Sequence, residues 1–165
     1  YYLDPVKTAE VLTPDGYLKT GDKGEIDNEG YVKITGRLKD IFKTEKGKYV
    51  TPAPVEARIM ENDLIEQVCV VGTGLPQPVA LLVLSEEAVK QPKLTLETRL
   101  QSTLNAVNSN LESHQKLDHM LVINEEWTID NGLLTPTLKV KRHVLEERYK
   151  SVILAGYREP VVWIN

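Results

Sequence analysis

The stretch from Gly36 to Glu56, GRLKDIFKTEKGKYVTPAPVE, constrains the fold more than any other part of the chain. Apolar Leu38, Ile41, Phe42, Tyr49 and Val50 alternate loosely with the cations Arg37, Lys39, Lys43, Lys46 and Lys48. Gly47 sits between two lysines, and Thr51-Pro52 has the order of a helix cap followed by a first helical residue. The pattern predicts a strand, a glycine turn, a second short strand and a capped helix with Val55, Ile59 and Met60 facing inward. Cations gathered on such a hairpin suit either of two purposes: handling an anion, or keeping a strand edge soluble.

On either side the chain gives strong local signals. Upstream, Pro14-Asp15-Gly16 reads as a turn, and Gly24–Ile26 and Tyr31–Thr35 flank Asp27-Asn28-Glu29-Gly30 as a hairpin loop. Residues 1–35 are expected to be loops and short strands, too short a piece to bury a core of its own. Downstream, residues 65–73 and 79–85 are apolar runs joined by Gly72-Thr73-Gly74-Leu75-Pro76, the pattern of paired strands. From Thr95 to about His114, apolar residues at 96, 100, 104, 107 and 111 keep helical spacing and predict a core stripe. Residues 121–123 predict a further strand.

A third helix is expected from Thr137 or Leu138 to about Lys150, with Lys139, Lys141 and Arg142 in its first turns and Glu146 and Glu147 later. That order opposes the helix dipole. It reads either as a site where an anion comes to the cations or as a screened surface helix. No role for residues 151–165 follows from the sequence, and they are expected to pack as a tail.

Composition excludes several classes. A net charge of −4 argues against a general nucleic-acid or membrane-surface binder. No apolar run approaches the roughly 18 residues of a membrane span. The single cysteine, Cys69, falls in the apolar run Val68-Cys69-Val70-Val71 and predicts a buried thiol suited to a reducing cytoplasm. Cys69 and the three histidines lack metal-ligand spacing, and there is no nucleophile motif and no phosphate loop of the GxxxxGK[ST] type. Asp27 with Glu29, and Glu86 with Glu87, read as turn and surface acids. The chain opens on Tyr1-Tyr2-Leu3 without a methionine, which raises the expectation that it is a piece of a longer protein.

Three stretches together resemble one family. Tyr17-Leu18-Lys19-Thr20-Gly21-Asp22, then Gly36-Arg37-Leu38-Lys39-Asp40 followed by Gly47, then Thr135-Pro136-Thr137-Leu138-Lys139 are similar in order and separation to the carboxy-terminal part of the acyl-adenylate-forming enzymes. Tyr2-Leu3-Asp4-Pro5 through Thr8-Ala9 resembles the segment leading into the first motif. KDIFKTEKGKYVTPAPVE and LLTPTLKVKR look most like the long-chain fatty acyl-CoA synthetase branch. Other branches more often carry Pro-Lys-Thr-x-Ser-Gly-Lys at the last site. Leu138 stands at the place of that glycine, which puts the family's lysine at Lys139, with Lys141 as the rival.

The resemblance implies an α+β fold, a small sheet flanked by the three helices, preceded by strands that end a larger amino-terminal domain. Residues 1–36 would be the tail of that domain, 37–150 the small mobile domain and 151–165 a tail. It implies an AMP-forming ligase that uses ATP and CoA, with Mg bound mainly through ATP and the other domain. A carboxylate and ATP give acyl-AMP, and rotation of the small domain then lets the CoA thiol displace AMP. Asp22 and Arg37 would bind the nucleotide near its ribose, and Lys39 would lie at the hinge. Lys43, Gly47, Lys48 and Tyr49 would face CoA, and Lys139 would reach the carboxylate and α-phosphate. The implied partners are a fatty acid, ATP, CoA and the chain's own amino-terminal domain, with no nucleic acid. The implied location is cytoplasmic, or peripheral at a membrane. A carrier-protein-loading domain and a non-catalytic nucleotide-binding or interaction module stand as alternatives.

Overall fold

A single strand with no polar residue dictates the architecture. Residues Val79–Leu84, VALLVL, are buried at every position, so both faces of the sheet that holds them must be covered. The computed structural model, which describes residues 1–164, places this strand inside a four-stranded sheet. With elements numbered along the chain, β5 (Ile65–Val71) pairs antiparallel with β6 (Val79–Leu84), which pairs parallel with β7 (Met120–Ile123), which pairs parallel with β8 (Val161–Ile164). Parallel neighbours need crossovers, and helices supply them. The helix α3 (Lys93–Ser109) joins β6 to β7; α4 (Arg142–Arg148) and α5 (Lys150–Ile153) join β7 to β8.

The period of two along each strand divides the core into two layers. On one face Val70, Ala80, Leu82, Met120 and Val122 pack with Val55 and Ile59 of α2 (Pro52–Ile59) and with the α3 stripe Leu96, Leu100, Leu104 and Val107. On the other face Cys69, Leu81, Leu121 and Ile123 pack with Trp127, Leu133, Leu145 of α4 and Ile153 of α5. Each such leucine or valine contributes about 1.5–3 kcal/mol when fully removed from water. The α+β fold is thus present, with short helices in addition to those expected.

The central stretch follows its pattern closely. β2 (Val32–Arg37) ends in a single 3₁₀ turn over Leu38–Asp40, and β3 (Phe42–Lys43) pairs with β4 (Tyr49–Val50) around Gly47 at φ +77°. Thr51 and Pro52 then start α2. Thr51 occupies the cap position, but its hydroxyl makes no capping hydrogen bond. Met60 lies past the last turn and is 43% exposed, so it is not part of the inward stripe.

Residues 1–35 depart from expectation in one respect. They include a helix, α1 (Pro5–Val11), where only loops and strands were expected. Its start signal was in the sequence: Asp4 Oδ1 accepts from the Lys7 N–H at 2.9 Å, with Pro5 in the first turn. β1 (Asp22–Ile26) and β2 form the expected hairpin, with Gly30 at φ +90° and Asp27 Oδ1 accepting from the N–H groups of Glu29 and Tyr31.

Two further boundaries move. α3 begins at Lys93 and stops at Ser109; Leu111 lies beyond it, partly buried against the same core. More consequentially, residues 137–141 are not helical. Leu134 and Val140 form an antiparallel bridge, the Thr135 N–H donates to the Lys139 carbonyl at 2.8 Å, and the Lys141 N–H donates to the Leu133 carbonyl at 2.9 Å. The Thr135 hydroxyl accepts the Lys139 N–H at 3.0 Å, a local bond that competes with helix formation. The helix therefore starts at Arg142, and Lys139 and Lys141 stand outside it. The proposed crowding of three cations at a helix start does not occur. Residues 151–164, for which no role followed from the sequence, supply all of α5 but Lys150, and edge strand β8; Asn165 lies outside the described residues.

Candidate active-site face

Lys139 sits near the tip of the hairpin that replaces the expected helix start. The base of this hairpin is held firmly. Gln67 on β5 clamps the Trp127 backbone in both directions, donating to its carbonyl and accepting its N–H, each at 2.8 Å. The Leu134 N–H donates to the Thr128 carbonyl at 2.9 Å, and Leu133 is fully buried. From that base the chain turns through Thr135–Lys139, with the two threonine hydroxyls of 135 and 137 at 3.1 Å. Leu138 makes the turn at φ +59° and is 70% exposed. That backbone region costs a leucine roughly 1–2 kcal/mol relative to its usual conformations. Leu138 is thus in the conformation a glycine would adopt freely, at the position where the related motifs carry glycine. Lys139 itself is exposed, and none of the described residues pairs with its ammonium.

The nucleotide candidates occupy a different part of the surface. Asp22 and Arg37 are opposite one another on β1 and β2, with Arg37 Nε 3.4 Å from Asp22 Oδ1. They line a cleft of about 840 Å³ between that hairpin and α2, together with Lys33, Asp40 and Pro54. Lys39 is exposed on the 3₁₀ turn that leaves β2. Lys139 and its neighbours do not line that cleft; Leu138 and Val140 instead border a groove with Trp127 and Met60.

The third group lies on the β3–β4 hairpin. The Lys43 ammonium stands 5.6 Å from the centre of the Tyr49 ring. The turn is closed by the Thr44 N–H to the Lys48 carbonyl and by the Gly47 N–H to the Thr44 carbonyl, both at 2.9 Å. It is braced on the β5–β6 loop, since the Glu45 N–H donates to the Leu75 carbonyl and the Gly74 N–H to the Lys43 carbonyl, each at 2.9 Å. The structure therefore brings Lys43, Gly47, Lys48 and Tyr49 together on one turn and Asp22 with Arg37 in one cleft, while Lys39 and Lys139 stand on separate segments.

Two side chains of the second core layer, Cys69 and Tyr149, hold their protons more tightly than usual. Burial pushes the Cys69 thiol up to about 12, so it is a neutral thiol at physiological pH. Burial, followed by its bond to Glu125, pushes the Tyr149 hydroxyl up to about 12; its O–H donates to Glu125 Oε2 at 2.7 Å. Among the described residues no group of three or more His, Cys, Asp or Glu could hold a metal ion. None of their helices is long and apolar enough to cross a membrane.

Residues 39–160 match the family described as the AMP-binding enzyme C-terminal domain. The chain belongs to that family. A long-chain-fatty-acid–CoA ligase of Mycobacterium tuberculosis is 33% identical over 178 residues, covering 96% of this chain and 29% of the relative. A long-chain-fatty-acid–[acyl-carrier-protein] ligase of Arabidopsis thaliana is 30% identical, covering 93% of the chain and 23% of the relative. Among solved structures, the adenylation domain of a carboxylate reductase from Mycobacterium chelonae superposes with a TM-score of 0.80 at 27% identity, over 94% of this chain and 25% of that one. This AMP-binding enzyme C-terminal domain is thus homologous to long-chain fatty acid–CoA ligases, and it spans less than a third of the curated relatives it matches.

One polar pair was missed by sequence reasoning. Arg142, read from the sequence either as part of an anion site or as a screened surface cation, instead pairs with Glu56 at 2.7 Å, largely buried. Nothing in the spacing of two residues 86 positions apart announces that contact.

Proposed function

We propose that this chain is the mobile carboxy-terminal domain of an ATP-dependent, AMP-forming long-chain fatty acid–CoA ligase, with the division from the larger domain at about Gly36. The observation that carries the reading is the Lys139 hairpin: an exposed ammonium, unpaired among the described residues, on a turn braced at its base and holding Leu138 in a glycine-like conformation. A compact cation on a stiff support suits the first half-reaction, where negative charge spreads over the transferring α-phosphoryl group. Lys141, the rival, lies at the hairpin base and sits half-buried, facing less of the solvent.

The other roles follow from chemistry of the same kind. Asp22, as an ionised carboxylate, would accept hydrogen bonds from both ribose hydroxyls, and Arg37 would lend its fixed donor fork to the nucleotide. These two pair with each other here, so the nucleotide would exchange that contact for its own. Lys39, on the short turn after β2, stands where a few backbone angles would absorb the rotation. Lys43, Gly47, Lys48 and Tyr49 would face the pantetheine arm as the CoA thiol attacks acyl-AMP and AMP leaves. Mg²⁺ would enter on ATP.

The test uses the full-length protein, wild type and Lys139→Ala, with a long-chain fatty acid, ATP and CoA. Acyl-AMP formation is expected to fall by roughly 10²–10³-fold, as for loss of one transition-state donor. Conversion of supplied acyl-AMP to acyl-CoA is expected to be largely spared. Both steps intact would move the role to Lys141. Turnover by the isolated 165-residue chain would overturn the reading altogether. The relative that acts on an acyl-carrier protein favours one second reading, loading of a carrier-bound thiol; faster transfer to a phosphopantetheinyl protein than to free CoA would decide for it.

A further inference from the structure

Arg142 is the first residue of α4, three residues after Lys139. Its Nη1 donates to Glu56 Oε1 at 2.7 Å, to the Val70 carbonyl, and to Cys69 Sγ at 3.3 Å. The same Glu56 oxygen accepts the Val70 N–H at 2.8 Å. β5 is an edge strand of the four-stranded sheet. Val70 is opposite Ala80, whose own N–H points the other way, to His119 on the β7 side. The two backbone groups of Val70 therefore face off the edge, where they would be orphaned. A carboxylate and a guanidinium satisfy both, standing in for one residue of a missing neighbouring strand.

The pair is 15% and 18% exposed at its two side chains. A buried ion pair is a poor source of net stability, since apolar residues of the same shape often do as well. What it supplies is direction: it fixes α2, β5 and the start of α4 to one another at a single point. The hairpin bearing Lys139 runs into that point through Lys141 alone. Asp40 and Lys39 share the 3₁₀ turn that leaves β2.

We infer that the Arg142–Glu56 pair is a positioning device for Lys139. It locks the start of α4 to the β5 edge and to α2, so that the hairpin tip presents its ammonium at a set place relative to the sheet and α2. Arg142 touches no reacting atom in this scheme; it acts through Lys139, and the inference rests on the role proposed for that lysine.

The experiment compares Arg142→Gln, Arg142→Lys and Glu56→Gln, each alone and with Lys139→Ala, in the full-length protein. Acyl-AMP formation and thioester formation from supplied acyl-AMP are followed separately, alongside thermal melting. Arg142→Gln is expected to lower kcat for acyl-AMP formation on the order of 100-fold, as ångström-scale misplacement of a reacting group does. KM for ATP should barely move, and the thioester step should be spared. On the Lys139→Ala background it should change nothing further, because no ammonium remains to be misplaced. Arg142→Lys, which keeps the charge but loses the fork, should fall between. If Arg142→Gln does not fold, Glu56→Gln carries the same comparisons while keeping an oxygen for the Val70 N–H.

Equal losses in both half-reactions, or a further loss on the Lys139→Ala background, would overturn the inference and leave the pair a structural contact. If Lys139→Ala leaves acyl-AMP formation intact, the role of Lys139 fails first and the inference falls with it.

Discussion

Leu138 carries the strain at the tip of the lysine hairpin, and its side chain gives little back, being 70% exposed. Leu138→Gly should therefore raise the unfolding free energy by about 0.5–1 kcal/mol, the relief of a left-handed leucine less the entropy of an added glycine. Urea titration checks this; no change or a loss would mean that the leucine packs on something its exposure does not reveal. Tyr149 makes a second prediction at this scale. Its proton is held in the fold by burial and by Glu125, so its folded pKa, about 12, lies above the ordinary value of 10. The corresponding stability is complete below pH 10 and is lost as pH rises from 10 through 12. Tyr149→Phe should flatten part of that alkaline decline in melts between pH 9 and 12, leaving the part that Cys69, with the same sign, contributes.

Among the elements, the seam between β2 and α2 depends on one missing atom. A Cβ built on Gly36 would lie 2.5 Å from Thr51 Cγ2, too close for any real contact. Gly36→Ala should cost about 1–3 kcal/mol as overpacking does, and Thr51→Ser, which removes that methyl group, should recover most of it. Thr51 makes no capping bond, so the rescue sacrifices none. Denaturant midpoints of the single and double variants test the pairing; failure of Thr51→Ser to rescue would place the cost in the backbone instead. The same element scale explains where sequence reading stopped short. The stripe of α3 and the hairpin partners β5 and β6 were legible because burial repeats with the period of the element. α4 was begun too early because cations and leucines after Pro136 look helical, whereas the Thr135 hydroxyl closes a turn there.

Across the whole molecule, cover is uneven. Tyr17, Leu18, Ile26, Tyr31, Val32 and Ile34 are each more than 60% exposed on residues before the 3₁₀ turn at Leu38–Asp40, while β6 is buried throughout. The β1–β2 hairpin of the isolated chain should thus exchange its amide hydrogens far sooner than β5, β6 and β7, which open only with the sheet. Hydrogen exchange followed by mass spectrometry checks this, and equal protection of the two regions would contradict it. Local chemistry was enough to settle the glycine turns at 30 and 47, the Thr51-Pro52 helix start, the apolar runs of the sheet, and the motifs whose order marked the family. The folded arrangement alone makes residues 161–164 a parallel edge of the sheet. It also decided that Arg142 belongs to Glu56 and not to an external anion, and that Lys139 stands on a hairpin apart from Asp22 and Arg37. Those outcomes depend on residues tens of positions apart being brought together, and no periodicity or composition within a short window carries that information.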